Sequence, residues 1–286
     1  MKDIIHPREI ERIINSNHND PFSVLGMHKE EEYMVVRAFL PRAKVVNVID
    51  YHHPHRKYRM EKIHSDGFYE VKIKDRSEFF EYQLEITDYY NHCWKTHDPY
   101  SFLPILTDYD LYLFNRGDNR HIYEKLGAHL MTINNIHGTY FAVWAPCAQR
   151  VSVVGDFNQW DGRQNPMRSI GCSGVWEIFI PGVGEGAIYK FEIRAQNGDI
   201  LLKSDPYAFY SELRPNNASV VYDINKYQWN DKEWLETRKN INYLESPVAI
   251  YEIHLGSWMR VSQEEDGFLS YRDAADKLVS YVKEMG

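Results

Sequence analysis

The amino-acid sequence repeats itself once, and this repeat constrains the fold more than any other feature. The run Leu-Gly-Met-His at residues 25–28 recurs as Leu-Gly-Ala-His at 126–129. Likewise, Asp-Pro-Tyr-Ser-Phe at 98–102 recurs as Asp-Pro-Tyr-Ala-Phe at 205–209. Further matches lie between them in the same order, so we infer a tandem duplication of a unit of about a hundred residues. We therefore expect two similar domains in series.

The second copy of the repeat has the pattern of short strands separated by turns. Apolar and polar residues alternate from Tyr140 to Val154 on either side of Pro146. Short strands with a turn signal about every 8–12 residues are typical of an antiparallel β-sandwich. Three further strands are predicted over residues 175–180, 187–193 and 200–203, the last two joined by a hairpin turn at 196–199. Since the first copy shows the same pattern from about Tyr33, we predict a mainly all-β chain with two tandem immunoglobulin-like antiparallel β-sandwiches.

Outside the repeats the sequence predicts two helices and one strand. Pro7 at a first helical position, followed by isoleucines at helical spacing, predicts a short helix that ends near Asn15. The apolar run from Val248 to His254 predicts a strand buried on both faces. An amphipathic helix beginning at Ser270 follows it. Because a strand and a helix make up only part of a βαβ unit, we expect the chain to be cut short.

Composition excludes several classes of function. The net charge of -8 argues against a nucleic-acid partner, because phosphate binding needs a concentrated basic surface. No stretch approaches the roughly 18 apolar residues that span a bilayer, so we predict no membrane partner. The N-terminus has no apolar core of signal-peptide length, and Cys93, Cys147 and Cys172 are widely spaced. These features predict a cytoplasmic protein.

A histidine-rich stretch and the aromatic content each allow two interpretations. His52, His53 and His55 could form a metal site, but Pro54 and the one-residue spacings favour a solvated turn, so we predict no metal and no cofactor. The sequence has 21 Tyr and 7 Trp, which suit either β-sandwich cores or stacking against a sugar face. Composition by itself does not distinguish these two roles.

Three parts of the chain resemble parts of the glycogen branching enzyme family. Residues 20–28 resemble the entry motif of the extra N-terminal module of long bacterial branching enzymes. Residues 141–146, 153–160 and 189–191 resemble the carbohydrate-binding module of family forty-eight. Residues 251–258 resemble the first barrel strand of glycoside hydrolase family thirteen in its branching-enzyme form. The resemblance implies that the last strand and helix begin a truncated (β/α)8 barrel.

The resemblance also implies an activity and a division into domains. The family cleaves an α-1,4 glucan and transfers the segment to a 6-hydroxyl through a retaining double displacement by two carboxylates. In the family those carboxylates lie on later barrel strands, so we predict no catalytic residue here and an inactive chain. The alternatives are a stand-alone glucan-binding protein and a fragment of a glycogen debranching enzyme. We place an N-terminal sandwich at 1–115, the carbohydrate-binding module at 116–226, a connector at 227–246 and the incomplete barrel at 247–286.

Three candidate residues for α-glucan binding follow from the resemblance to family forty-eight. Some modules of this family bind glucan through two Trp platforms, a Lys and an Asn. The first platform aligns with Trp160, the Lys with Lys190 and the Asn contact with Asn216. The second platform falls near Leu202, which is not aromatic. Trp160 therefore has a second possible role, as an anchor of its own loop.

Overall fold

The computed structural model describes residues 5–30, 33–260 and 267–285. The chain divides into two compact units, the first ending at Lys226 and the second beginning at Tyr227. The first unit contains two β-sandwiches in series, each built from two antiparallel sheets, which confirms the predicted fold class of tandem sandwiches.

The first sandwich follows a short helix, α1 (Pro7–Ile14), which confirms the helix predicted from Pro7. Strands β1, β2, β6 and β5 form one sheet in that order, and β4, β3, β7 and β8 form the other. Inward-facing residues such as Val36, Val46 and Leu84 are fully buried between the sheets. The strands are β1 (Gly26–Lys29), β2 (Met34–Phe39), β3 (Ala43–Asp50), β4 (Lys57–Arg59), β5 (Glu61–His64), β6 (Phe68–Ile73), β7 (Tyr82–Asp88) and β8 (Cys93–His97).

Among the described residues, the second sandwich has nine strands where the first has eight, in a similar arrangement of two sheets. Strands β12, β13, β10 and β9 form one sheet, and β11, β14, β17 and β16 form the other, in which β15 also pairs with β14. The strands are β9 (Gly127–Ile133), β10 (Ile136–Trp144), β11 (Ala148–Gly155), β12 (Arg168–Ile170), β13 (Val175–Pro181), β14 (Ile188–Ala195), β15 (Ile200–Lys203), β16 (Tyr210–Ser211) and β17 (Ser219–Val220). The break at Pro146 and the hairpin at Asn197-Gly198 are confirmed.

The segment between the sandwiches contains a helix that the sequence interpretation missed. Helix α2 (Asp108–Asn115) begins with a capping box, in which the Thr107 hydroxyl accepts a hydrogen bond from the Asp110 amide. The Asp110 carboxylate in turn accepts from the Thr107 amide at 3.0 Å. This reciprocal pair is a known helix-start signature, so the spacing of Thr107 and Asp110 could have predicted the helix.

The duplication extends to individual hydrogen bonds. In the first sandwich the buried Tyr82 hydroxyl donates to Asp98 Oδ2 at 2.6 Å. In the second, Tyr189 donates to Asp205 Oδ2 at 2.5 Å. Both aspartates also accept the amide hydrogen of the residue two positions on, at 3.0 Å and 2.8 Å. The repeated Asp-Pro-Tyr motif is thus explained, because each copy ties the end of its domain to the start of the β7 or β14 strand.

The repeated Leu-Gly motif has an equally direct cause. Gly26 and Gly127 adopt φ values of +92° and +108°, in the region that L side chains rarely occupy. A Cβ on Gly26 would lie 2.7 Å from the Tyr100 carbonyl oxygen, and one on Gly127 would lie 3.1 Å from that of Tyr207. In each copy, glycine lets the first strand approach the Asp-Pro-Tyr turn.

Asp98 gives the first sandwich a measurable pH dependence. Burial raises the pKa of its carboxyl from an ordinary 3.8 to about 6, although hydrogen bonds from Tyr82 and the Tyr100 amide lower it. Between about pH 4 and pH 6 the folded state therefore holds a proton that the unfolded state has released. The stability due to this group is fully present below about pH 4 and is lost as the pH rises through 6. Between pH 4 and pH 7, wild type should lose on the order of 2 kcal/mol more of its unfolding free energy than Asp98→Asn.

Urea unfolding of wild type and Asp98→Asn at both pH values measures this difference. Asp118→Asn is the matched control, because the Asp118 side chain is half exposed and sits on the loop after α2. Between pH 4 and pH 7, Asp118→Asn should lose as much unfolding free energy as wild type does. Equal losses in wild type and Asp98→Asn would contradict the assignment.

Glu177 on β13 joins the two sandwiches. Its carboxylate accepts hydrogen bonds from the Ile105 amide at 3.0 Å and the Leu106 amide at 3.1 Å, both on the linker. It also accepts from the Tyr140 hydroxyl at 2.8 Å and forms an ion pair with Arg168 at 3.4 Å. A fully buried carboxylate with these four partners fixes the path of the linker over the second sandwich.

In the described part of the second compact unit, the helices are α3 (Lys232–Lys239), α4 (Leu255–Trp258) and α5 (Tyr271–Met285). Helix α5 confirms the helix predicted from Ser270. The strand predicted from Val248 to His254 is wrong: the segment is irregular and has no strand partner within the described ranges. A doubly buried strand needs neighbours on its edges and cover on both faces, whereas Val248 and Ile250 are 70% and 90% exposed. The barrel start is therefore not confirmed.

None of the helices in the described ranges is long and apolar enough to cross a bilayer.

Candidate functional site

The candidate glucan-binding residues lie where four segments of the second sandwich meet. Gly155, at the end of β11, pairs with Tyr189 on β14. The loop that carries Trp160 therefore begins beside Tyr189, the residue that precedes Lys190. On the other edge of β14, Lys203 pairs with Phe191 and Ser219 pairs with Tyr189. This register brings the ends of β11 and β15 and the approach to β17 together at the Tyr189 end of the sheet.

The loop that carries Trp160 is fixed by a buried asparagine. Asn158 Oδ1 accepts the Gly155 amide hydrogen at 2.9 Å. Its Nδ2 donates to the Val153 carbonyl and to Asn165 Oδ1, each at 2.8 Å. Because all of these groups are buried, the short helical turn 156–158 has one conformation. The motif Gly-Asp-Phe-Asn-Gln-Trp thus encodes a rigid loop.

Trp160 is held in an unusual backbone conformation with its ring accessible. Gln159 and Trp160 both have left-handed φ values, 55° and 61°, which are strained for non-glycine residues and are often found at functional sites. The Trp160 amide donates to the Gly155 carbonyl at 3.0 Å, and its indole N–H donates to Asp156 Oδ1 at 3.1 Å. The side chain is 39% exposed, and no other ring or cation of the described residues lies against it. The indole is therefore held in one orientation with part of its surface accessible.

Lys190 contacts Asn217 rather than Asn216. Its Nζ donates to Asn217 Oδ1 at 2.5 Å, and the Ser204 hydroxyl bonds to the carbonyl of Asn217. The Asn216 side chain donates instead to Glu212 Oε1 at 3.2 Å. The resemblance pointed to Asn216, whereas in the structure the neighbouring Asn217 bonds to the lysine. The Asn-Asn pair offered no signal to choose between them.

A buried hydrogen-bond chain supports this end of the sheet. Tyr189 precedes Lys190 and donates to Asp205, whose own amide donates to the Ser219 hydroxyl at 2.9 Å. Burial raises the pKa of the Asp205 carboxyl, and the hydrogen bonds from Tyr189 and from the Tyr207 amide lower it. The chain positions the backbone on both sides of Lys190 and Asn217.

A buried ion pair stabilises the end of the loop that carries Trp160. Arg150 on β11 is fully buried and donates to Glu192 Oε1 on β14 at 2.6 Å. It also donates to the Gly162 carbonyl at 3.2 Å, which ties down the loop two residues after Trp160. A Cβ on Gly162 would collide with the Glu192 carboxylate, so a larger residue there would displace the ion-pair partner of Arg150. The loop is thus anchored at both ends.

The first sandwich lacks an equivalent platform. At the corresponding position the Asp50 carboxylate accepts hydrogen bonds from the His52 and His53 amides at 3.0 Å and 2.9 Å. Both histidines lie in an exposed turn that His55 continues. Among the residues that the structure describes, no group of His, Cys, Asp and Glu side chains is placed to hold a metal ion.

The position of the second platform is aliphatic and exposed. Leu202 lies on β15 opposite Glu192, and 55% of it is accessible. Ile200 and Leu201 beside it are also exposed. The strand therefore offers a sugar an apolar strip without a flat ring.

The domains match two known protein families. The N-terminal domain of alpha-1,4-glucan branching enzyme GlgB matches residues 6–100. Carbohydrate-binding module 48, described as the isoamylase N-terminal domain, matches residues 125–208. The two matched segments follow the order of the two sandwiches, and the second match ends before β16 and β17.

The chain is also similar throughout to curated proteins. It is 45% identical to the 1,4-alpha-glucan branching enzyme GlgB of Thermosynechococcus vestitus, over 99% of this chain and 40% of that protein. It is 46% identical to that of Rubrobacter xylanophilus, over 97% of this chain and 37% of that protein. A solved pullulanase from Anoxybacillus sp. LM18-11 aligns at 18% identity over 69% of this chain and 27% of that one, with a TM-score of only 0.29.

The chain therefore spans about 40% of the length of the curated relatives that it matches. The match of the first domain and the similarity along nearly the whole chain both point to branching enzymes. The chain is similar over nearly its whole length to the N-terminal portion of 1,4-alpha-glucan branching enzymes GlgB, and its two sandwiches match the GlgB N-terminal domain and carbohydrate-binding module 48.

Proposed function

We propose that this chain is the glucan-binding N-terminal portion of an enzyme that cleaves an α-1,4 glucan and transfers the segment to a 6-hydroxyl. The observation that carries the proposal is the similarity of nearly the whole chain to 1,4-alpha-glucan branching enzymes. In this proposal the chain supplies substrate binding, and the two carboxylates of a retaining transfer belong to later barrel strands. The chain by itself would then be inactive.

The same similarity favours branching over the two alternatives. A glycogen debranching fragment would share the module of family forty-eight, but residues 6–100 match a domain named for the branching enzyme. A stand-alone glucan-binding protein would have no use for the 60 residues that follow the sandwiches and that also align with branching enzymes. We also propose a cytoplasmic location without a nucleic-acid partner, supported by three free cysteines and the acidic charge.

The proposed binding site uses Trp160, Lys190 and the Asn216-Asn217 pair. The Trp160 ring presents a flat apolar surface that suits the apolar face of a glucose ring. The Lys190 ammonium and the amide groups on the 216–217 loop can donate to sugar hydroxyls. The anchored loop keeps this arrangement in place before the sugar arrives, which lowers the entropic cost of binding.

We expect Trp160→Ala to weaken the affinity of the 286-residue chain for maltoheptaose roughly tenfold. Stacking on an aromatic side chain contributes about 1–3 kcal/mol in the comparable case of nucleic-acid bases, and about 1.4 kcal/mol is tenfold in Kd. Isothermal titration calorimetry with maltoheptaose measures the change.

Trp94→Ala is the matched control, since Trp94 lies on β8 of the first sandwich and is 44% exposed. Its removal should leave the affinity unchanged. Equal affinity of wild type and Trp160→Ala would mean that Trp160 only anchors its loop, and it would remove the site from the proposal.

A further inference from the structure

A second cleft opens on the second sandwich, beside the opposite edge of the sheet from Trp160. Trp160 follows edge strand β11, whereas this cleft adjoins β16, β17 and the start of β9. It has a volume of about 460 Å³, within the range of small-ligand sites. We call it the Tyr222 cleft, and its walls include Tyr123, His129, Phe209, Tyr222, Asp223 and Asn225.

The walls of the Tyr222 cleft combine fixed aromatic rings with an accessible one. Tyr222 stacks on Tyr210 with ring centroids 5.3 Å apart, and the Lys226 ammonium lies 3.9 Å from the Tyr222 ring centroid. Phe209 contacts the His129 ring edge to face at 5.4 Å. Tyr123, on the approach to β9, is 45% exposed. The cleft thus has aromatic rings held by their neighbours and one partly exposed ring, Tyr123, which lies beside His121 with ring centroids 5.9 Å apart.

Hydrogen-bonding groups line the same cleft and remain available. Asp223 uses one carboxylate oxygen, Oδ1, to accept the Asn225 amide at 2.9 Å. The other oxygen and the exposed Asn225 side chain have no hydrogen-bond partner among the described residues. Acidic and amide groups beside an aromatic ring suit a neutral, polyhydroxylated ligand.

Charge argues against an anionic ligand in this cleft. Glu124 and Asp223 both line it, and they would repel a phosphate or carboxylate group. The cation that lies over the Tyr222 ring, Lys226, is already paired with Glu185. A neutral oligosaccharide avoids this repulsion.

The duplication supplies an internal comparison for the Tyr222 cleft. Ala128 and Phe209 line it, and their counterparts Met27 and Phe102 line a cleft of about 760 Å³ between the two sandwiches. The walls of that first cleft are largely apolar, with Phe79 and Leu103 prominent. The same repeat position therefore lies on an apolar cleft in the first copy and on a polar, aromatic cleft in the second.

From this combination we propose that the Tyr222 cleft is a second binding site for α-linked glucose oligosaccharides, separate from the Trp160 site. The proposal rests on the proposed function, because the ligand class is taken from it. One long glucan could then contact the module at two places, which would raise its affinity through effective concentration.

Maltoheptaose titration of four forms of the 286-residue chain tests the proposal. The first form is wild type, and the second is the double variant Trp160→Ala/Lys190→Ala. The third form adds Tyr123→Ala and Asn225→Ala to the double variant. The fourth form adds only Tyr109→Ala to the double variant. Tyr109 is an exposed tyrosine on α2 outside the cleft and serves as the matched control. Circular dichroism of each form verifies folding.

The Trp160→Ala/Lys190→Ala variant should retain one binding event. Adding Tyr123→Ala and Asn225→Ala should weaken that event about tenfold, as expected for loss of a stacking ring and its polar neighbour, whereas adding Tyr109→Ala should not. Loss of all binding in the Trp160→Ala/Lys190→Ala variant would overturn the second site and would be consistent with the Trp160 site. Binding that depends only on Tyr123 and Asn225 would support the cleft and refute the Trp160 site. If wild type binds no maltoheptaose, both proposals fall.

Discussion

Glu177→Ala should lower the unfolding free energy of the sandwich pair by about 3–5 kcal/mol, because it removes the acceptor of a buried network. The Ile105 and Leu106 amides, the Tyr140 hydroxyl and the Arg168 guanidinium would all lose a partner. Since Arg168 is nearly buried, its charge would be left poorly compensated. Urea unfolding measures the free energy, and amide hydrogen exchange at residues 105 and 106 locates the loss.

The repeat offers a matched control for this change. Glu70 occupies the equivalent position in the first sandwich and accepts a hydrogen bond from Arg37 at 2.7 Å. Arg37 keeps a second carboxylate partner, Glu30, so Glu70→Ala should cost clearly less. If both variants lost the same amount, or if exchange at residues 105 and 106 stayed slow in Glu177→Ala, the network would not be the link between the sandwiches.

Arg150→Met should cost about 3 kcal/mol and should also weaken maltoheptaose binding. Removing one partner of a buried ion pair leaves the other charge uncompensated, here Glu192, whose side chain is 17% exposed. The Gly162 carbonyl would lose one of its two donors and keep only the Ser16 hydroxyl, so the loop that carries Trp160 would lose one anchor. Unfolding measurements and calorimetric titration of the same variant report the two effects.

Two further variants test whether the stability lost in Arg150→Met comes from the unpaired charge of Glu192 or from the loss of the arginine side chain itself. Arg150→Met combined with Glu192→Leu should recover part of the stability, because no unpaired buried charge remains. Arg194→Met changes the half-buried arginine that lies opposite Arg150 in the β11–β14 register, and it should be nearly neutral. A double variant no more stable than Arg150→Met would contradict the ion-pair explanation.

The sequence by itself determined the duplication and the class of fold. The recurring Leu-Gly and Asp-Pro-Tyr runs are local signals with local causes: a left-handed glycine and a carboxylate that caps a turn. Strand alternation and the Asn-Gly turn depend on residues close together in the chain, so they could be recognised without the structure. The resemblance to the branching enzyme family could be recognised for the same reason, since it rests on short contiguous motifs.

Only the tertiary structure decided the remaining features, because they depend on contacts between distant residues. Whether residues 248–254 form a strand depends on neighbouring strands, and an apolar run has the same sequence with or without them. Lys190 bonds to Asn217 and not to Asn216 because the register of β14 with β17 sets which side chain faces it. Likewise, the Tyr222 cleft gathers residues from positions 123 to 225, and no local pattern joins Tyr123 to Asp223.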